Sequence, residues 1–418
     1  MSAPTTSAGA RCGGADEPGA TTDLARVLVC TGKGGVGKTT TAAALAVDAA
    51  RCGSRTLVMS TDGAHSLGDA LGVDLQGGPV EVEPGLVAEH VSAAQGLSDA
   101  WRVVQDYLLS LLGDVGIDPA VAEELTSLPG ADEIAALVTL RERVRAGEWE
   151  VIIVDCAPSA ETLRLLALPD SLSWHLRRWL PQGSTWRPAA AAALGVPMPG
   201  PAVLAAIGRW HEQMSDLKDI LRAPRSTIRL VTTPERVVTA EARRTWTSLS
   251  LFGFEVDAVH VNRVFPPGPD WLAGWNAAQA EGVREVEQSF ATVPVVTMPY
   301  LAEEPIGADA LAALAEQCGA VRLTPEHLAA PAVSSRALTV TEHEGGYQLS
   351  LRVPFVTAAD VGLSRRGDDL LIDVGDQHRI VTLPAALVPL TVAGAGVRDG
   401  RLIITFAPRQ GRPRLASA

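Results

Sequence analysis

The chain has 418 residues, 47% of them hydrophobic, and a formal net charge of −13. This length can bury one large core and leaves material for a second domain. The acidic balance argues against general binding to nucleic acid or anionic lipid, which requires a surplus of Lys and Arg. The five cysteines, at positions 12, 30, 52, 156 and 318, include no C-x-x-C pair, so they indicate a reducing cytoplasm without a zinc site.

No stretch of the chain has the pattern of a signal peptide or a membrane span. Residues 1–24 are rich in Ala, Gly, Thr and Ser without a continuous apolar run, which predicts a disordered tail. The most apolar later stretch, residues 188–208, is interrupted by three prolines between positions 197 and 201. We therefore expect a soluble, cytoplasmic protein with no stable membrane insertion.

A glycine-rich loop follows the first apolar strand, predicted for residues 27–31, and precedes an alanine-rich helix. In such a loop the backbone N–H groups cradle phosphate oxygens at the positive end of the helix. Lys38 would neutralise the β- and γ-phosphates, and the Thr39 hydroxyl would ligate Mg²⁺. The predicted nucleotide-binding residues are Gly32, Gly34, Gly35, Val36, Gly37, Lys38, Thr39 and Thr40.

Two acidic residues follow short apolar runs that are typical of buried parallel strands. Asp62 comes after the run at 56–60, and Asp155 ends the run at 151–155. Ligands of open α/β sheets bind at the carboxyl ends of the strands. Asp155 is predicted to hold Mg²⁺ directly or through water. Asp62 is predicted to face the nucleotide, and a helix-capping role is its alternative.

Helical insertions are predicted at about 90–148 and 168–225. Their apolar stripes are expected to pack on the domain body, with a client-binding surface as the alternative. The α/β pattern then resumes, and one strand ends at Asn262 and Arg263, where a base could be read. Residues 25–325 are thus predicted to form a mostly parallel, doubly wound α/β domain.

Beyond a linker at 326–335 the pattern changes to short strands separated by turns. Residues 336–408 are predicted to form a small all-β sandwich, and residues 409–418 a tail. The sandwich contains no cluster of His, Cys or carboxylate residues spaced for metal binding or catalysis.

The phosphate loop departs from the simple motif at Lys33, directly after the first glycine. It resembles the deviant Walker A motif of the ParA/MinD/ArsA group. The segments at 62–66, 128–133, 155–158, 162–166 and 233–236 resemble motifs of the ArsA and guided-entry (tail-anchored protein targeting) ATPases. Residues 336–408 resemble the α-crystallin-like, or small heat-shock-like, domain appended to some members.

This resemblance implies a P-loop NTPase that uses ATP and Mg²⁺ and forms a nucleotide-dependent homodimer. It implies that Lys33 contacts the nucleotide of the other subunit, Asp62 orients the attacking water, Asp155 supports Mg²⁺ and Asn262 reads adenine. The chain departs from the family in having Gly63 where proline is usual and Ser-Ala at 159–160 where Thr-Gly is common. It also lacks the family's zinc-binding C-x-x-C and arsenite-binding cysteines, so no zinc is expected.

The expected function is an ATP-hydrolysing dimeric switch that binds and releases a hydrophobic client, with a tail-anchored membrane protein as one candidate. The main alternative is a nucleotide-regulated holdase chaperone that acts through the α-crystallin-like domain. An arsenite-pump subunit is less favoured, because metalloid thiols and a second ATPase half are missing. A ParA/MinD-like positioning ATPase is less favoured because the chain is acidic and has no basic amphipathic helix at its C-terminus.

Overall fold

The computed structural model describes residues 25–60, 66–91, 131–156, 200–318, 338–343 and 345–408, together with residue 323 and parts of 102–110. Its first eight strands are β1 (Arg26–Thr31), β2 (Thr56–Ser60), β3 (Val80–Glu83), β4 (Leu86–His90), β5 (Val151–Asp155), β6 (Ser226–Thr232), β7 (Val256–Val264) and β8 (Val295–Pro299). The α-helices among the described residues are α1 (Lys38–Arg51), α2 (Ser66–Leu71), α3 (Ala131–Ala146), α4 (Pro201–Arg222), α5 (Arg236–Leu251), α6 (Ala273–Ser289) and α7 (Ala308–Cys318). The predicted tails, the linker and much of both helical insertions lie outside the described residues.

The eight strands form one sheet in the order β3-β4-β2-β5-β1-β6-β7-β8. All neighbouring pairs are parallel except β3 and β4, which are antiparallel. In the sheet, β5 and β2 lie on one side of β1, and β6 lies on its other side. The crevice at the carboxyl end of β1 is therefore the topological switch point of a doubly wound sheet, where ligands bind in such folds.

Each face of this sheet carries its own hydrophobic core. α1, α2 and α7 pack on one face, together with Leu28 of β1 and Ile153 of β5. α3, α4, α5 and α6 pack on the other, together with Val27 and Ile152. Alternate residues of the central strands thus point to opposite faces, which explains why the middle residues of β1 and β5 are apolar on both faces. Within the described residues, no helix is both long and apolar enough to cross a membrane.

The C-terminal unit is the predicted small sandwich. Its strands are β9 (Leu338–His343), β10 (Gly346–Arg352), β11 (Val361–Arg366), β12 (Asp369–Val374), β13 (Gln377–Thr382), β14 (Leu390–Arg398) and β15 (Arg401–Pro408). They form a four-stranded sheet, β14-β15-β10-β9, and a three-stranded sheet, β11-β12-β13, both antiparallel. Leu349, Ile372 and Phe406 are fully buried in the core.

The sandwich docks on α5 of the α/β domain. Leu251, the last residue of α5, is buried as part of the sandwich core. The ring of Phe355, between β10 and β11, lies 5.9 Å from the ring of Trp246 and 5.7 Å from that of Phe290. The two units therefore share an apolar interface.

Several elements were not predicted. The β3–β4 pair adds an antiparallel edge to the sheet, α6 connects β7 to β8, and β14 is a seventh strand of the sandwich. β14 reads Leu-Thr-Val-Ala-Gly-Ala-Gly-Val-Arg, and its small residues lack the alternation of large apolar side chains by which strands are recognised.

Candidate active site

Close backbone approach holds the loop between β1 and α1 at both ends. At Gly32, an added Cβ atom would lie 2.0 Å from the carbonyl oxygen of Val231, on β6. At Gly37, where φ is 92°, a Cβ atom would lie 2.1 Å from Nδ2 of Asn262, on β7. Both positions therefore require glycine, and the loop is fixed against two neighbouring strands.

The middle of the loop faces open space. Among the described residues beyond its chain neighbours, no atom lies within 4 Å of a Cβ atom added at Gly34 or Gly35. Helix α1 begins at Lys38, so the N–H groups of its first turn and its positive dipole end face this space. Thr39 and Thr40 lie in that turn and are half-buried. The loop and the helix start together form a site for an anionic group such as phosphate.

The two lysines of the loop have different partners. Nζ of Lys38 donates to the carbonyl oxygen of Lys33 at 3.2 Å, so the ammonium group of Lys38 lies at the loop. Nζ of Lys33 lies 3.3 Å from Oε2 of Glu241, on α5, and each of these side chains is 39% exposed. Lys38 therefore serves its own loop, whereas Lys33 is directed away from it.

Asp155 ends β5, the strand that pairs with β1. It is 3% exposed and pairs in register with Cys30 of β1 and Ser60 of β2. The Ser60 hydroxyl donates to Oδ2 of Asp155 at 3.0 Å and is itself buried. Ser60 was missed at the sequence level, although a polar residue ending an apolar strand was a usable signal. The Asp155 carboxylate and the Thr39 hydroxyl are hard oxygen donors of the kind that Mg²⁺ prefers, so the residues fit this ion.

Asn262 and Arg263 lie at the carboxyl end of β7. Nδ2 of Asn262 donates to the carbonyl oxygen of Val36 at 2.9 Å, and its Oδ1 accepts from the backbone N–H of Arg263 at 2.8 Å. Arg263 is exposed and has a φ of 59°. The structure therefore brings Asn262 to the loop, together with the predicted lysines, Thr39 and Asp155.

Asp62, predicted to orient the attacking water, lies outside the described residues. The Cys30 thiol does not suggest covalent catalysis, because burial raises its pKa to about 12 and so keeps it protonated. The described residues hold no group of three or more His, Cys, Asp or Glu side chains that could bind a metal ion. The arrangement is suited to positioning and charge stabilisation of a phosphate ester.

Two family models match the chain, one for anion-transporting ATPases over residues 25–319 and one for an HSP20-like domain found in ArsA over residues 344–406. An uncharacterized protein of Streptomyces coelicolor is 38% identical over 92% of this chain and 97% of its own length. A protein of Prosthecochloris vibrioformis, named provisionally as an arsenical pump-driving ATPase, is 31% identical over 91% of this chain and 96% of its own length. The ATPase GET3 of Ajellomyces dermatitidis is 28% identical over 67% and 86% respectively.

Proposed function

Because the chain belongs to the anion-transporting (ArsA) ATPase family, we propose that it is a dimeric switch that uses ATP hydrolysis to bind and release a hydrophobic protein client. The family match covers the whole ATPase domain, with an HSP20-like domain after it, so the enzyme activity is that of an ATPase. The dimer and the client are the parts that we propose. A cytoplasmic location belongs to the same proposal.

The orientation of the Lys33 side chain is the observation that supports the proposed dimer. A lysine that served its own loop would lie over it, as Lys38 does. Lys33 instead pairs with Glu241 at the protein surface. Such an exposed pair contributes only about 0–1 kcal/mol, so Lys33 can exchange it at little cost for the phosphates of a nucleotide on a second copy of the chain. This supports an active site that is completed by two subunits.

The proposed chemistry is in-line attack of water on the γ-phosphorus of ATP. The loop N–H groups and Lys38 hold the phosphates, and Asp155, oriented by Ser60, would hold Mg²⁺ together with Thr39. The ion supplies neutralisation of the charge on the β- and γ-phosphate oxygens. Asp62 is proposed to orient the water. No covalent intermediate is needed, because charge stabilisation lowers the barrier.

The client surface is proposed to involve the start of α4 and the insertion that precedes it. Further along α4, Trp210, Met214 and Leu217 are buried in the domain core, so this stripe packs on the body as expected. Leu204, near the start of the helix, is 47% exposed. A tail-anchored membrane protein is proposed as the client from the resemblance of the motifs to guided-entry ATPases.

The holdase alternative would require an apolar capture surface on the sandwich. Among the described residues of the sandwich, Phe355 is the large hydrophobic residue with an exposed side chain, and it contacts Trp246 and Phe290 of the ATPase domain. This favours a docking role for that surface. Deleting residues 336–418 would uncover apolar residues of α5, so client capture is better compared between intact chains.

Two variants and their mixture test the two-subunit site. Lys33→Ala and Asp62→Asn are each expected to lose turnover, and Asp62→Asn to trap an ATP-bound dimer. If Lys33 acts on the other subunit, mixing equal amounts restores about a quarter of wild-type turnover, because half of the dimers are mixed and each has one intact site. Normal hydrolysis in both variants, or no restoration on mixing, would contradict the assigned roles.

Mass spectrometry of proteins that co-purify with the Asp62→Asn variant from its own host tests the client. Enrichment of membrane proteins with one C-terminal span is expected, relative to a Lys38→Ala variant that does not hold nucleotide. Equal recovery of such proteins with both variants would reject the client class.

A further inference from the structure

Both functional ends of the Asn262 side chain are bonded to backbone. Its amide nitrogen donates to the carbonyl oxygen of Val36 inside the phosphate loop, and its oxygen accepts from the N–H of Arg263. These bonds also fix the orientation of the amide, because exchanging oxygen and nitrogen would place two acceptors and two donors together. Asn262 is 9% exposed and Val36 is 3% exposed, so both bonds are largely shielded from water.

The end of β7 is held rigidly behind Asn262. Arg263 adopts a φ of 59°, a conformation that costs energy in a non-glycine residue and persists only when its surroundings impose it. Gln279 of α6 supplies this constraint. Its Nε2 donates to the carbonyl oxygen of Arg263 at 2.9 Å, and its Oε1 accepts from the N–H of Phe265 at 2.6 Å. A continuous chain of hydrogen bonds thus runs from α6 to the phosphate loop.

We propose that Asn262 is a positioning residue for the phosphate loop, with Gln279 supporting it from α6. A phosphate loop binds anions because its N–H groups point inward, and this requires its carbonyl groups to point away. Asn262 holds the Val36 carbonyl outward and occupies the space beside Gly37, where a Cβ atom would lie 2.1 Å from its Nδ2. This inference rests on the nucleotide site alone and is independent of the proposed dimer and client.

Support of the loop and reading of adenine by Asn262 would affect the binding of different ligands. If Asn262 reads the base, its substitution lowers the affinity for ATP more than the affinity for GTP, and it leaves the affinity for inorganic tripolyphosphate unchanged. If Asn262 supports the loop, its substitution lowers the affinity equally for every ligand that carries the same phosphates. The affinity ratio between ATP and GTP therefore separates the two roles, and it does not respond to a general loss of stability.

The test measures binding of Mg²⁺ complexes of ATP, GTP and tripolyphosphate to full-length protein, by competition with a fluorescent nucleotide. Asn262→Leu keeps the approximate volume of the side chain but removes both hydrogen bonds. It is expected to lower the affinity for all three ligands by the same factor, about tenfold. Gln279→Ala is expected to weaken all three by a smaller common factor. Gln288→Ala, the same change at an exposed position of α6, is the matched control.

A lower affinity for ATP with an unchanged affinity for tripolyphosphate would overturn the proposal in favour of base reading. Unchanged affinity for all three ligands in folded Asn262→Leu would overturn it as well. If Asn262→Leu does not fold, Gln279→Ala decides by the same comparison, and a loss confined to ATP or no loss at all counts against the proposal.

Discussion

Removing the Ser60 hydroxyl is expected to impair Mg²⁺ use. Ser60 is 1% exposed and Asp155 is 3% exposed, and their hydrogen bond is 3.0 Å long. A hydrogen bond to a charged group contributes about 1.5–3 kcal/mol, and loss of a group that orients a metal-ligating side chain costs about 10–100-fold in metal affinity or activity. We therefore expect Ser60→Ala to raise the Mg²⁺ concentration for half-maximal ATPase activity by about 10–100-fold.

The assay is steady-state ATP hydrolysis over a Mg²⁺ titration at saturating ATP. Ser54→Ala is the matched control, because it removes a hydroxyl from a buried serine before the amino end of β2, at the edge of the sheet away from the loop. The control is expected to keep the wild-type Mg²⁺ dependence. A wild-type Mg²⁺ dependence in Ser60→Ala, or the same shift in Ser54→Ala, would refute the reasoning.

Three further predictions concern stability. Burial lowers the pKa of His260 to about 3, so its stabilising contribution is complete above about pH 6.5 and falls by about 1.4 kcal/mol per pH unit below that. His260→Leu should remove this share of the acid sensitivity, as measured by urea unfolding at about pH 7.5 and about pH 5.5. Gly282→Ala should destabilise the ATPase domain by about 1–3 kcal/mol or more, since the new Cβ atom would lie 2.1 Å from the carbonyl oxygen of Pro234; its melting temperature reports this. Phe355→Ala should loosen the docked sandwich by about 0.5–1.5 kcal/mol for each aromatic pair that the substitution removes, seen as faster hydrogen exchange at the end of α5.

Each of these predictions has a control on the same chain. Exposed His343, changed to Gln, should leave the acid sensitivity unchanged. Gly274→Ala, on the same helix as Gly282 but facing open space, should be neutral or slightly stabilising. Val237→Ala, on the exposed surface of α5, should not alter hydrogen exchange at the interface. If a control behaves like its partner variant, the local contact assigned to that variant is wrong.

The sequence predicted those elements whose physical signal is local. The middle residues of β1 and β5 are apolar because both faces of the sheet are covered, and the glycine spacing of the loop follows from the path that the backbone takes around phosphate. General rules of α/β folds then place the ligand site at the carboxyl ends of the strands. The fold and the position of the loop, Lys38 and Asp155 could therefore be predicted.

Contacts between distant segments could not be predicted. The bond from Ser60 to Asp155 joins residues 95 positions apart, and that from Asn262 to Val36 joins residues 226 positions apart. Nothing in the local pattern of either segment identifies its partner. The pairing of Lys33 with Glu241 is of the same kind, since it depends on how α5 is placed against the loop.

Helix α5 contacts both the phosphate loop and the sandwich. Glu241, in its first half, pairs with Lys33 of the phosphate loop. Thr247, further along the helix, donates to the carbonyl oxygen of Pro354 at 2.6 Å, and Leu251 at its end lies in the sandwich core. A helix is stiff over this length, so a displacement of its first half moves its last turn as well. The partner of Lys33 and the residue that anchors the sandwich are thus carried by one helix.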